Sequence, residues 1–483
     1  MYTFKTTPYE HQKTVFDQSW TSPMYALFME MGTGKSKVAI DTMGALFKEN
    51  EIDTALILAP KGVYDNWVRK EIPAHLPDDI PARVVRWQPN FTKKFTQEIK
   101  DIALKESREP GTLHILVMNI EALSTKKGAA SAVKFLQLNP NNISIVDEST
   151  TIKNRKAQRT KTVLEIGRAS KYRRILTGSP ITKTPMDLFS QCAYLGDDAL
   201  GYTNYYAFQN RYAVTQQRSM GHRSFQKIVG FRRLEELTQK LDQFSSRVLK
   251  RDCLDLPDKV YMARNVPLTT EQVKVYGQMK ELALAQMENG ELATTASVLT
   301  QIMRLQSIVC GHLRTDDGEI QSIKNNRLPE LMNVVEEAQG KVIIWATFTQ
   351  DLLNIQEALS EVYGEDSVAI YYGSTPQDER QDIVDRFQDE DSSLRFFVGQ
   401  PKTGGYGITL TAADTVVYYS NSYDLELRLQ SEDRAHRIGQ ENRVTYIDLV
   451  SRETIDEVIL NALRQKINLA STVLNEDFGE WLR

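Results

Sequence analysis

The chain has 483 residues, 41% of them hydrophobic and 25% charged, which excludes disordered and collagen-like classes and exceeds what one hydrophobic core accommodates. With 59 basic against 63 acidic residues and a net charge of −4, it lacks a global basic signature, so any nucleic-acid surface has to be local. No apolar run approaches the roughly 20 residues of a spanning helix, the N-terminus lacks a signal-peptide pattern, and Cys192, Cys253 and Cys310 form no C-x-x-C pair, which argues against zinc and disulfides alike.

The first string with chemical content is Met29-Glu30-Met31-Gly32-Thr33-Gly34-Lys35-Ser36. Met29 stands where the strict phosphate-loop pattern has its first glycine, but the tighter core from Gly32 to Ser36 is intact. Gly32 and Gly34 let the backbone approach phosphate oxygens, and the helix expected from Lys37 to Phe47 offers its N-terminal N–H groups. Lys35 supplies a charge for the β and γ phosphates of ATP, and Ser36 a hydroxyl for Mg²⁺.

Apolar runs follow at 54–60, 114–119, 143–148 and 174–178. Their hydrophobicity is continuous rather than alternating, the mark of strands buried on both faces of a helix-covered parallel sheet. Polar residues close these runs: Lys61, Asn119, Asp147 with Glu148, and Thr177 with Gly178. Open α/β sheets bind ligands at that edge. Two adjacent carboxylates ending an apolar strand suit a metal-and-water station, with Asp147 on Mg²⁺ and Glu148 orienting and deprotonating the attacking water. The run KNRKAQRTK, 153–161, holds five basic residues and no acidic one; by itself it reads as a solvated face.

From about 185 to 335 there are few strand-like runs and many helix formers, so helical material is expected between the α/β units. The polar, proline-bearing segment 254–260 is the hinge candidate. Buried-strand runs resume at 341–347, 367–372, 395–399, 415–420 and 444–450. The string Gln430 to Gln440 then sets Arg434 and Arg437 three apart, on one face if the segment is helical, where two guanidiniums suit a transferring phosphoryl group. They are about four hundred residues from Lys35 in the other α/β unit, so a cleft completed by both halves is the economical expectation. The tail after residue 460 is expected to fold back as a helix.

In this order the strings resemble superfamily-two helicase-like ATPases, specifically the Swi/Snf-type (Snf-two) DNA translocases. Pro8 to Gln12 resembles the adenine-reading Q motif, EMGTGKS motif I, 56–67 motif Ia, VDEST the DE-x-H box, LTGSPI motif III, KVIIWATF motif IV, GGYGITLTAAD motif V and QSEDRAHRIGQ motif VI. The resemblance implies two tandem RecA-like lobes with parallel sheets and helical insertions between and within them. Lobe 1 is expected over 1–253 with an insertion near 185–250, and lobe 2 over 254–483 with an insertion near 268–335. It implies that Gln12 reads adenine; that Gly32, Thr33, Gly34, Lys35, Ser36, Gly405 and Gln430 serve the nucleotide; and that Arg434 and Arg437 are arginine fingers. It further implies DNA contacts at Lys61, Asn119, Lys153, Asn154, Thr347, Gly404 and Thr409, which position a duplex without reading its sequence.

Two departures stand out. Ser149 and Thr150 occupy the third and fourth box positions, which puts coupling to motif III in question, and Ser422 to Leu425 replaces a string that contacts DNA in many relatives. The expectation is a monomeric, cytoplasmic enzyme, bacterial or viral, with nuclear placement and a recruiting protein left open. It takes ATP and Mg²⁺, translocates on duplex or branched DNA, remodels forks, junctions or bound proteins, and touches no membrane. A strand-separating DNA or RNA helicase and a nucleotide-dependent clamp with little hydrolysis are the alternatives.

Overall fold

In the computed structural model, which describes residues 2–61, 63–220, 223–288, 295–314, 319–404 and 408–474, the buried runs fold as strands. The first of two units comprises residues 2–255 with 468–474. It contains β1 (Met24–Met29), β2 (Thr54–Ala59), β3 (Ala82–Arg86), β4 (Leu113–Asn119), β5 (Asn142–Asp147), β6 (Tyr172–Leu176), β7 (Ala213–Met220), β8 (Arg223–Phe231) and β9 (Ser245–Val248). Seven of these form a wholly parallel sheet in the order β3-β4-β2-β5-β6-β1-β9. Alternate residues feed two cores. Ala26, Phe28, Leu56 and Leu58 enter one, and Tyr25, Leu27, Met29 and Ile57 the other, so both sheet faces are dry and the strands lose their polar alternation.

The second unit, residues 256–467, carries β10 (Lys259–Asn265), β11 (His312–Arg314), β12 (Ile320–Ser322), β13 (Lys341–Trp345), β14 (Val368–Tyr371), β15 (Phe396–Gly399), β16 (Ala413–Tyr418) and β17 (Val444–Val450). Six form a second parallel sheet in the order β10-β17-β16-β13-β15-β14. Val342 and Ile344 pack to one side of it and Ile343 and Trp345 to the other. These two sheets with their helices are the RecA-like lobes expected above. Segment 254–260 contains the division between the units.

The helical stretches lie where helix formers predict them, at Leu234–Leu241, Thr270–Glu288 and Thr295–Cys310. The expectation of little strand between 185 and 335 is corrected. β7 and β8 form an antiparallel hairpin inside that region, β9 adds an edge to the first sheet, β10 adds one to the second, and β11 pairs with β12. The hairpin escapes a search for buried runs because its residues alternate with glutamine, arginine and lysine. The helix Ile455–Leu474 matches the expected tail as far as residue 474; residues 475–483 of the tail lie outside the described residues. Among the described residues, no helix is long and apolar enough to cross a membrane.

Candidate nucleotide and nucleic-acid site

β1 ends at Met29, and the chain turns through Gly32 and Gly34, whose φ values of 82° and 91° favour glycine, into the helix Lys35–Lys48. A methyl group at Gly34 would run into the Gln12 side-chain amide, so the left-handed backbone requires glycine there and the close approach favours it. The loop is braced from within. Lys35 Nζ donates to the Met29 carbonyl at 2.9 Å and the Glu30 carbonyl at 3.3 Å, and Thr33 Oγ1 donates to the Glu30 carbonyl at 2.7 Å. Ser36 occupies the first helical turn, half-buried.

Gln12 belongs to the helix Glu10–Ser19, where its Oε1 accepts the Tyr9 N–H at 3.1 Å and its Nε2 donates to the Thr33 carbonyl at 3.1 Å. The same carbonyl meets His11 Nε2 at 2.8 Å, a contact that the sequence reading missed. The Q motif is thus tied directly to the phosphate loop. Beside it opens a cavity of about 960 Å³ lined by Tyr9, His11, Thr14, Ser246 and Arg247, among others. Arg247 also bridges β1 and the segment after β6, donating to the carbonyls of Phe28 at 3.0 Å and Gly178 at 2.9 Å.

Asp147 ends β5, two strands from β1 in the sheet. Burial pushes its carboxyl pKa up, and three contacts oppose that: the Trp67 indole, the charge of Lys35 and the Glu148 backbone N–H. Trp67 is fully buried and donates to Asp147 Oδ2 at 2.9 Å, while the Glu148 N–H donates to Oδ1 at 2.9 Å. Both carboxylate oxygens are therefore oriented, each with accepting capacity left. Trp67 opens a five-residue π-helical turn, Trp67–Glu71, a distortion that concentrates at functional sites. Glu148 is buried at φ 47°, ψ 61°, a left-handed conformation that costs a non-glycine residue about 1–3 kcal/mol and persists only when its surroundings impose it.

The question raised by Ser149 has a structural answer. Ser149 Oγ donates to Gln191 Oε1 at 2.7 Å, and Gln191 Nε2 donates to the Pro180 carbonyl at 2.8 Å. Box and motif III are joined through a third residue, buried Gln191. Just beyond both strings, Lys153 Nζ donates to Thr182 Oγ1 at 2.7 Å.

Of the expected DNA contacts in this unit, Lys61 is exposed just beyond β2, Asn119 ends β4 with partial exposure, and Asn154 is exposed after β5. Ala59 lies opposite Asn119 and Asp147 opposite Leu176, so all of them rise from the C-terminal edge of one sheet. Within the basic run, Arg155 stacks on Tyr205 and Tyr206 at 4.3 and 5.0 Å, and Lys156 and Lys161 are exposed.

In the second unit one expectation needs correction. The helix Leu425–Glu432 stops before Arg434, so Arg434 and Arg437 do not share a helix face. They lie in the turns that follow, where Gly439 has φ 96° and Gln440 Nε2 holds the carbonyls of Thr411, Ala413 and Ala435. Proximity survives by another route, since both guanidiniums reach the Ile408 carbonyl, Arg434 at 3.1 Å and Arg437 at 3.4 Å. Arg434 is 1% exposed and also donates to the Gln430 carbonyl, whereas Arg437 is half-exposed. Gln430 is buried against Glu426. Thr347 donates its N–H to Ser420 Oγ at 2.8 Å, Gly404 is buried where a methyl group would meet the Trp345 ring, and Thr409 is half-buried. Gly405 lies outside the described residues. Asp424, in the divergent string 422–425, caps the helix by accepting the Glu426 N–H.

Comparison with known proteins matches residues 21–313 to the SNF2-related domain and residues 323–439 to the helicase conserved C-terminal domain. Among curated proteins, the SWI/SNF chromatin-remodeling complex subunit snf22 of Schizosaccharomyces pombe is 25% identical over 92% of this chain and 26% of its own length. An uncharacterized ATP-dependent helicase of Mycoplasma pneumoniae is 24% identical over 93% of this chain and 40% of its own length. The chain thus spans between a quarter and two fifths of these relatives. A solved structure, the Sulfolobus solfataricus SWI2/SNF2 ATPase core in complex with dsDNA, matches with 25% identity and a TM-score of 0.42, covering 100% of this chain and 95% of that one.

Proposed function

This chain belongs to the SNF2-related family of helicase-like ATPases, and on that premise we propose that it hydrolyses ATP to translocate on duplex DNA, remodelling forks, branched junctions or DNA-bound proteins. The observation that carries the reading is the set of groups at the first sheet's C-terminal edge: a braced phosphate loop with buried Lys35, an oriented Asp147 and a left-handed Glu148. The loop N–H groups and Lys35 hold the ATP phosphates. Ser36 and Asp147 offer the hard oxygen donors that Mg²⁺ takes, and the metal when bound neutralises phosphate charge. Glu148 orients and deprotonates water, Gln12 with its neighbouring cavity receives the base, and Arg434 and Arg437 spread positive charge over the transferring phosphoryl group. Lys61, Asn119, Lys153, Asn154, Thr347, Gly404 and Thr409 form the backbone-reading DNA contacts. Relatives named as a chromatin-remodelling subunit and as an ATP-dependent helicase support action on DNA.

An ATPase panel over single-stranded, duplex, forked and four-way DNA and RNA tests this directly. Duplex-containing DNA is expected to raise turnover most, accompanied by triplex displacement without strand separation. Stimulation by RNA alone would remove the proposal, and unwinding of plain duplex would favour the strand-separating alternative.

Trp67 carries a more local expectation. Trp67→Phe keeps an aromatic ring in the core but deletes the N–H on Asp147. Loss of a hydrogen bond that orients a metal-site carboxylate costs about tenfold or more in metal affinity. The half-saturating Mg²⁺ concentration for turnover, and Mn²⁺ binding followed by electron paramagnetic resonance, should therefore both shift upward by about that factor. Unchanged metal dependence would mean that the indole serves packing alone.

A further inference from the structure

The turn that carries Arg434 and Arg437 is tied to the segment where the two units divide. Glu432 ends the helix Leu425–Glu432 and is fully buried. Its carbonyl accepts the Ala435 and His436 N–H groups at 3.2 Å each, so the chain pivots on it as it enters the arginine-bearing turn. The Tyr446 hydroxyl donates to that same carbonyl at 2.9 Å. The side chain is gripped as well. Tyr261 Oη donates to Glu432 Oε2 at 2.7 Å and Lys259 Nζ to the same oxygen at 3.2 Å, while Arg428 Nε donates to Oε1 at 2.8 Å. Tyr261 and Tyr446 are register partners in β10 and β17, with their rings stacked at 5.3 Å. One strand pair thus holds Glu432 at both its carboxylate and its carbonyl.

Lys259 and Tyr261 lie two apart on β10 and so share a face, and Lys259 belongs to the segment 254–260 that contains the division between the units. A second tie runs from the same segment, where the Pro257 carbonyl meets His436 Nε2 at 2.8 Å. His436 stands between the two arginines in sequence. All of these residues belong to the second unit. Burial opposes ionisation of Glu432, but the charges of Lys259 and Arg428 outweigh it and hold the carboxyl below its ordinary range. Arg428 does not depend on Glu432 for a counter-ion, since Asp448 accepts from two of its nitrogens at 2.5 and 3.1 Å. Desolvation offsets much of the attraction within a buried ion pair, so added stability is a poor account of this carboxylate.

We propose that Glu432 is a positioning residue: with Tyr261, Lys259 and His436 it fixes the arginine-bearing turn to the hinge segment, so that displacement of the hinge is passed to Arg434 and Arg437. This rests on the translocase reading above, in which the two guanidiniums act on the transferring phosphoryl group. Glu432 acts through the backbone it holds and not on the substrate. Its effect falls on the transition state, because the arginines serve charge that develops there. A small misplacement of such groups costs up to about a hundredfold in rate.

Glu432→Ala strips a counter-ion from Lys259 and Arg428 at once and tests folding before it tests coupling, so the experiment makes milder changes in the full chain. Tyr261→Phe removes one hydroxyl and keeps the stacked ring. Lys259→Met removes the charge on Glu432, and Lys259→Arg restores it. Steady-state ATP hydrolysis with saturating duplex DNA is measured on each variant beside thermal unfolding. In Tyr261→Phe and Lys259→Met, kcat is expected to fall by about ten- to a hundredfold. KM for ATP should shift by less than about twofold, the pattern of an interaction made only in the transition state, and Lys259→Arg should recover most of kcat. A merely structural role would lower the unfolding midpoint and leave kcat, measured well below that midpoint, at the parent value, which overturns the proposal. A rise in KM with kcat retained also overturns it, since the tie would then serve nucleotide binding. An unaltered protein that does not hydrolyse ATP, or an Arg437→Ala variant as fast as the parent, removes the reading beneath the proposal and the proposal with it.

Discussion

Replacing Glu148 by glutamine is expected to lower DNA-stimulated turnover by about a thousandfold while ATP binding is retained. A positioned general base contributes roughly 10² to 10⁴ in rate, and glutamine keeps the shape of the side chain while losing its basicity. Glu148 is buried beside Asp147 on a left-handed residue, so neighbouring structure rather than local preference fixes its direction. The amide should inherit that direction without strain beyond what Glu148 already bears. Lys35→Ala provides the contrast. Lys35 Nζ braces the loop through the Met29 and Glu30 carbonyls and is the proposed phosphate ligand, so its loss should weaken nucleotide binding and turnover together. Equilibrium binding of labelled ATP beside steady-state hydrolysis separates the two outcomes. A glutamine variant that turns over like the parent would remove Glu148 from its role.

What was legible in the sequence depended on burial. β2, β4 and β5 have both faces in the dry cores, so continuous apolar runs announce them and the polar residues at their ends announce the binding edge. The hairpin β7–β8 has exposed glutamines and lysine along it, and a search for buried runs passes over it. Trp67 and Asp147 are 80 residues apart and Ser149 and Gln191 are 42 apart. No periodicity links such pairs, because tertiary packing alone brings them together. Arg434 and Arg437 show the opposite failure. A spacing of three implies a shared face only while the helix continues, and here it ends at Glu432. The pair was identified for a geometric reason that does not hold, and it is kept together by the Ile408 carbonyl instead.

That difference in anchoring separates the two arginines experimentally. Arg434 is enclosed, its guanidinium held on the Gln430 and Ile408 carbonyls. Arg434→Ala would leave buried acceptors without their donor, at about 1–3 kcal/mol each, and should lower the unfolding midpoint along with turnover. Arg437 is half-exposed with a longer contact to the same carbonyl, so Arg437→Ala should leave the midpoint nearly unchanged. As a proposed arginine finger it should act on catalysis instead, where such a residue contributes roughly 10³ to 10⁵ in turnover. Arg437→Lys should recover little of that, because an ammonium is a point charge and lacks the planar fork that engages two phosphoryl oxygens. Thermal unfolding and turnover measured on the same three variants decide the matter: the two arginines should part on the first measurement and converge on the second. Undiminished turnover in Arg437→Ala would exclude it as a finger, and a thermal loss equal to that of Arg434→Ala would show it to be a structural residue of the turns around Gly439.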